Sequence, residues 1–382
     1  MKTVRGIAVV GCGSIATGVH LPNIVANSRL RLITTCDCDE RAARESAARF
    51  AAARWETDWR RAVADGQVDL VLLATHTGLR GELIIAAMRA GKPVYTEKPL
   101  APSISEMADI LRVHRETRVP VCVGHNRRSS PAVLELRRLL LKARSLPQAE
   151  PPSVDRSVPG IIRSLPEVRG TQILIRVNDD LRSWKPWIFE DAEGILFAEM
   201  VHFIDLALWL QSAPPARVFA MGSNRTNFTL TIGFQDGSTA TLHQTGVGHF
   251  DYPKELVEVS ANFVTVAMEQ HVEVRQWGIG DEPHRRTFPF KGQDMARTDG
   301  IAGYYEALAA AQAMRGAGQK ALSVGVNKGH AAHLDRFLTH LDGGGENPCP
   351  IEGAVTVNRL ALKLLESIRT NTPVPVVQED LA

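Results

Sequence analysis

Residues 4–37 constrain this chain more than any other stretch. An apolar strand (VRGIAVV, 4–10) runs into a glycine turn, Gly11-Cys12-Gly13-Ser14-Ile15-Ala16. A helix follows, and a second strand (LRLITTCD, 30–37) closes the unit. That order is half of a dinucleotide-binding βαβ fold. Gly11 permits the tight strand-to-helix turn. Gly13 lets the backbone approach a pyrophosphate, so that the first helical amides, around Ser14 and Ile15, point at it. Ala16 is small enough for the helix to pack on the strand. Asp37 ends the second strand, roughly 20 residues on, where a carboxylate accepts hydrogen bonds from an adenosine ribose diol. A 2′-phosphate there would meet a negative charge, so NAD is expected in preference to NADP.

The length, 382 residues, suggests two or three domains, and a formal net charge of +2 implies no strong field for nucleic acid or membrane. The five cysteines (Cys12, Cys36, Cys38, Cys122, Cys349) form no C-x-x-C pair. Cys36 and Cys38 are expected to be buried thiols rather than ligands. This usage suits a reducing cytoplasm. The first residues lead directly into a strand without a charged-then-apolar signal region, and no apolar run approaches the roughly 20 residues that span a bilayer. A soluble cytoplasmic protein is expected.

Beyond Asp37, DERAARESAARFAAARW reads as a helix, VDLVLLAT (68–75) as a buried parallel strand and GELIIAAMRAG (81–91) as an amphipathic helix. PVYTEKP (93–99), ISEMADILRVHRET (104–117) and VPVCVGHNRR (119–128) continue the alternation of strand and helix. The fold class expected is an α/β N-terminal Rossmann domain with a doubly wound parallel sheet over 1–124, its ligand edge at the carboxyl ends of the strands. Thr75, Glu97, Lys98 and Asn126 fall on that rim with the glycine turn.

From 125 to 382 the pattern becomes α+β, expected to be a substrate-binding and oligomerisation domain. A helix (132–144) precedes a proline-rich insertion, about 145–170. After TQILIRVN (171–178) and the helix FAEMVHFIDLALWLQ (197–211), six strand-like segments predict a large, mostly antiparallel open sheet, with a tight hairpin at Asp236-Gly237. The apolar density of its strands favours a homo-oligomer. Closing helices end the chain.

Three groups carry chemistry. Lys98, in Glu97-Lys98-Pro99, presents an ammonium able to hold a substrate hydroxyl beside a positive nicotinamide. Glu199, His202 and Asp205 recur every three residues on one helix face, giving an imidazole base with a carboxylate one turn away to orient it. Arg127 or Arg128 can reach substrate oxygens, and Trp184 or Trp187 can wall a sugar pocket. Two potential ligands on one helix do not make a metal site, and none is expected. His125, His243, His249, His271, His330 and His333 lack ligand spacing and read as structural or solvent-facing.

These motifs together resemble the glucose-fructose oxidoreductase, inositol dehydrogenase and MocA family over nearly the whole chain. The resemblance rests on GCGSIATGVHLP (11–22), Asp37, Thr75, EKPL (97–100), GHNRRSSP (124–131), EMVHFIDL (199–206) and KGHAAHLDRFL (328–338). It implies catalytic roles for Lys98 and His202, substrate contact by Arg127, and a homodimer or homotetramer built through the open sheet; Trp187 and Asp205 are expected beside the substrate on the reading of the residues. Two departures stand out: Ala198 occupies the position where many members have an aspartate, with Glu199 its implied substitute, and Arg80 replaces the usual histidine in the loop after Thr75. The expected activity is NAD-dependent hydride transfer on a secondary alcohol of a sugar, sugar derivative or cyclitol. An NAD-dependent glycoside hydrolase on the same fold and a non-catalytic NAD-binding regulator remain as alternatives.

Overall fold

The structure, a computed structural model, describes residues 4–101, 103–147, 170–184, 194–293, 295–317 and 324–381. Most of the proline-rich insertion, together with Trp187, lies outside the described residues. The chain forms two compact units: Met1–Ser129, Gly329–Ala361 and Gln378–Ala382 make the first, and Ser130–Lys328 with Leu362–Val377 the second.

In the first unit, six strands make one parallel sheet: β1 (Arg5–Val10), β2 (Leu30–Cys36), β3 (Arg54–Glu56), β4 (Leu70–Leu73), β5 (Val94–Thr96) and β6 (Val121–Val123). Their order is β3-β2-β1-β4-β5-β6, so the chain reverses direction across the sheet at β1 and β4. β4 is buried at every position, as a parallel strand covered on both faces must be. Helix boundaries follow local chemistry. Ser103 accepts the Glu106 amide at the start of Ile104–Thr117, and Arg118 ends that helix with φ 55°. Asp39 caps Glu40–Phe50 in the same way. That helix stops at Ala51, which takes φ 54°, so the alanine-rich run expected to be helical through Trp55 instead gives β3, a short edge strand paired with β2. β2 itself ends at Cys36. Cys36 is buried as expected, whereas Cys38, beyond the strand, is exposed. The returning helix His330–Leu341 buries Leu334, Phe337 and Leu338 and sets Phe337 6.4 Å from the buried ring of Tyr95, which is why this late segment belongs to the first unit.

The second unit is built on a nine-stranded sheet. Its strands are β7 (Gln172–Asn178), β8 (Pro215–Gly222), β9 (Phe228–Phe234), β10 (Thr239–Thr245), β11 (Glu255–Ala261), β12 (Val264–Glu269), β13 (Glu273–Trp277), β14 (Arg285–Thr287) and β18 (Val374–Pro375). The order is β14-β13-β12-β11-β7-β10-β9-β8-β18, and every pair except β7 with β10 is antiparallel. A three-stranded sheet of β15 (Phe290–Gly292), β16 (Met295–Arg297) and β17 (Gly325–Val326) lies beside it in sequence. Burial alternates strictly along β9 and β11, which fixes one covered and one open face. Asp236 and Gly237 turn β9 into β10: Gly237 has φ 86° and the Asp236 carboxylate accepts the Ser238 amide. Among the described residues no helix is long and apolar enough to cross a membrane.

Candidate functional site

The glycine turn at the end of β1 is fixed by main-chain geometry. Gly11 has φ 95°, and a Cβ there would stand 2.5 Å from the Ala74 carbonyl oxygen, so only glycine fits. Its amide donates to Cys36 O (2.8 Å), and the next amide, of Cys12, donates to Asp37 Oδ2 (2.7 Å). Asp37 therefore ties the turn to the end of β2. Around Gly13 the situation is reversed: a Cβ would meet nothing within 4 Å. Open space over a glycine, with the helix beginning at Ser14 and Ile15, is the arrangement a pyrophosphate needs. Thr75, on the adjacent strand end, has a buried hydroxyl with no hydrogen-bond partner among the described residues. These features together fit a dinucleotide.

The ends of β4 and β5 form the rest of this rim. Glu97 is only 7% exposed, and His20, from the π turn Ala16–His20 after the glycine turn, donates through Nε2 to Glu97 Oε1 at 2.7 Å. The Lys98 amide lies 3.2 Å from the other carboxylate oxygen. Burial pushes the Glu97 pKa up, but the hydrogen bond and charge of His20, with Lys98 and His330 adding, overcome it and hold the group at about 2. A depressed carboxylate pKa adds stability that is fully present above the unfolded value of about 4.5 and is lost as pH falls through about 2. The expected loss over that window is about 3 kcal/mol. Glu97→Gln should flatten this part of a denaturant-unfolding series; an unchanged slope would place the acid sensitivity in other carboxylates.

After β6 the chain makes a short 3-10 turn, Asn126–Ser129, in which Asn126, Arg127 and Arg128 are all buried. The Arg128 guanidinium lies 3.4 Å from Pro348 O. Asn126 Nδ2 is 3.5 Å from His330 Nδ1, and the His330 ring sits 6.4 Å from that of His20, edge to face. The structure thus adds His20 and His330 to the rim carrying Thr75, Glu97, Lys98 and Asn126. They are not visible as a pair in sequence, because 310 positions separate them, although each lies in one of the quoted motifs, GCGSIATGVHLP and KGHAAHLDRFL.

In the second unit, Glu199, His202 and Asp205 do not share one regular helix. A π turn, Leu196–Met200, contains Glu199, and the α-helix Val201–Leu210 carries the other two. The three-residue spacing therefore does not give the face-to-face alignment expected for an unbroken helix. Glu199 Oε1 accepts from Lys254 Nζ at 3.1 Å, and the same ammonium pairs with the buried Asp179 at 3.1 Å. His202 is 6% exposed, and Asp205 is fully buried. Among the described residues no group of three or more potential ligands could hold a metal ion.

Comparison with known proteins gives a consistent result. Residues 5–125 match the oxidoreductase family with the NAD-binding Rossmann fold, and residues 167–275 match the GFO/IDH/MocA C-terminal domain. A D-xylose dehydrogenase of Paenarthrobacter nicotinovorans is 36% identical over 97 residues, 25% of each chain. Inositol 2-dehydrogenase 2 of Saccharopolyspora erythraea is 35% identical over 135 residues, 35% of this chain and 40% of that one. The matches thus span a quarter to two fifths of these relatives' length. An oxidoreductase from Agrobacterium radiobacter, solved with NAD+, L-tartaric acid and magnesium, has the same fold, with a TM-score of 0.74 at 16% identity over 98% of both chains. With both domains matched in their proper order on the observed parallel and antiparallel sheets, the chain belongs to the GFO/IDH/MocA oxidoreductase family, whose N-terminal domain is an NAD-binding Rossmann fold.

Proposed function

We propose that this protein is an NAD-dependent oxidoreductase that transfers a hydride between a secondary alcohol of a sugar, sugar derivative or cyclitol and the nicotinamide. The observation that carries the reading is the rim of the parallel sheet: an open Gly13 face, Asp37 bonded to the Cys12 amide at the end of β2, and Lys98 beside a buried, ionised Glu97. The relatives named as xylose and inositol dehydrogenases support the substrate class.

When bound, NAD supplies the acceptor for the carbinol hydride, and NADH the donor in the opposite direction. Gly11, Gly13, Ser14 and Ile15 hold the pyrophosphate, Asp37 the ribose, and Thr75, Glu97 and Asn126 the nicotinamide end. Lys98 donates to the alcohol oxygen and stabilises the negative charge developing there. His202 takes the hydroxyl proton. Asp205 is the better partner for His202, because it is buried one turn further along the same helix, whereas Glu199 is engaged by Lys254. Arg127 binds substrate oxygens, and we retain Trp187 as a wall of the sugar site.

A screen of sugars, nucleotide sugars and inositols with NAD, read as reduced-cofactor absorbance with product analysis in parallel, tests the proposal. Net NADH formation that disappears in His202→Ala supports it; product without net NADH, or tight NAD binding with no product across all three classes, overturns it.

We also propose a homodimer or homotetramer in the cytoplasm, with all five cysteines as free thiols. The open face of the nine-stranded sheet exposes Leu174, Met221 and Trp277, side chains that a partner's sheet would cover. Sedimentation velocity at micromolar concentration should give a dimer or larger, and charged substitutions at Leu174 and Met221 should dissociate it. A monomer under those conditions rules the assembly out.

A further inference from the structure

The loops that follow β4 and β5 are joined by a buried cation. Arg80 lies on the first turns of the helix Thr77–Arg89 and is 4% exposed. One terminal nitrogen of its guanidinium donates to the Thr75 carbonyl and the other to the Pro99 carbonyl. β4 and β5 are neighbours in parallel register, Leu73 opposite Thr96, so these two carbonyls belong to adjacent strand ends on the cofactor rim. Nε is buried and has no acceptor among the described residues. Burial lowers the Arg80 pKa to about 10, with the charges of Glu97 and Glu106 opposing the effect.

A guanidinium removed from water is ordinarily set against a carboxylate, because little else offsets the loss of hydration. Here the direct partners are two main-chain carbonyls, one of them in the residue after Lys98. The forked geometry of arginine allows both to be held at once. A neutral histidine has one N–H and can hold one of the two; a lysine reaches as a point charge on a flexible stem.

We propose that Arg80 is a positioning residue for Lys98, fixing the Glu97-Lys98-Pro99 turn against the Thr75 loop. The inference rests on the reading of Lys98 as the group that holds the substrate oxygen. Glu97 acts electrostatically on both Arg80 and Lys98, so the two are like charges around one carboxylate. Removing Arg80 takes a like charge from the surroundings of Lys98, which favours the ammonium, and frees the turn that carries it.

The test uses Arg80→Ala, Arg80→His and Arg80→Lys in the full-length protein. Trace acetylation of lysines across a pH series, read by mass spectrometry, reports the titration of the Lys98 amine with no substrate present; Lys92 and Lys142 serve as internal references. In Arg80→Ala the Lys98 midpoint should move upward by about half a pH unit or more. The value of kcat should fall about tenfold, with the Kd for NAD within about threefold. Arg80→His should lie between the two, and Arg80→Lys should recover part of the loss. If Arg80→Ala does not fold, Arg80→His carries the same comparison, because it keeps one of the two hydrogen bonds. An unchanged Lys98 midpoint with unchanged kcat overturns the proposal, as does a fall in Tm alone. A shifted midpoint in a protein that turns over no alcohol leaves the Arg80 inference standing and removes the oxidoreductase reading instead.

Discussion

Lys98→Ala is expected to lower kcat roughly 10³-fold while the Kd for NAD changes less than about threefold. The size follows from the role. An ammonium hydrogen-bonded to an oxygen that gains negative charge in the transition state is worth more there than in the ground state, so its loss appears in kcat rather than in binding. The separation from cofactor affinity follows from the structure. The turn carrying Lys98 is held by the His20–Glu97 hydrogen bond and by Arg80 on the Pro99 carbonyl, and truncating the side chain at residue 98 leaves those atoms in place. Lys98→Arg is the informative companion. It keeps the positive charge but replaces a compact ammonium with a planar fork, and a rate near that of Lys98→Ala would show that the position of the donor matters more than its charge. Calorimetric titration with NAD and initial rates on the substrate found in the screen check both halves. Equal rates in wild type and Lys98→Ala would remove this lysine from the mechanism.

The parts of this molecule that were legible in sequence are those decided over short distances. A strand, a turn whose φ of 95° only glycine satisfies and a carboxylate at the next strand end form one local unit, and the Gly11 and Cys12 amides are found bonded to Cys36 O and Asp37. Alternating and continuous apolar runs likewise located the central strands of both sheets. Short edge elements were not legible: β3, β14 and β18 have two or three residues each, too few for a periodicity to register, and they exist because a neighbouring strand offers them partners. The π turn at Leu196–Met200 defeated an argument that assumed regular helical spacing, and with it the alignment of Glu199 with His202. The pairings that tune the rim were hidden for another reason. His20 and Glu97 are 77 positions apart, and Arg80 satisfies backbone carbonyls, which no side-chain pattern marks. Sequence placed Glu97 and Lys98 on the rim, but what holds the carboxylate ionised becomes visible only once three chain segments are folded together.

Gly13→Ala and Gly11→Ala should separate binding from folding within the same turn. At Gly13 an added Cβ meets no protein atom within 4 Å, so the folded state should tolerate alanine, with a change in Tm of about 2 °C at most. In the proposed binding mode that same empty space is where the pyrophosphate comes closest to the backbone. A methyl group there should weaken NAD binding by about 30-fold or more, near 2 kcal/mol. Gly11 should respond differently. Alanine there is strained by φ 95° and also collides with Ala74 O at 2.5 Å, so the β1 and β4 ends must shift apart. The Cys12 amide then loses its fixed relation to Asp37, and stability and NAD affinity should fall together, the former by about 1–3 kcal/mol. Thermal unfolding and NAD titration on the two variants give four numbers from two single-atom-scale changes. If Gly13→Ala binds NAD as tightly as the wild type, the pyrophosphate does not lie over this glycine, and the cradle must be sought elsewhere on the rim. If Gly11→Ala loses affinity without losing stability, the turn is less constrained by Ala74 than its geometry requires, and Asp37 acts on the cofactor alone.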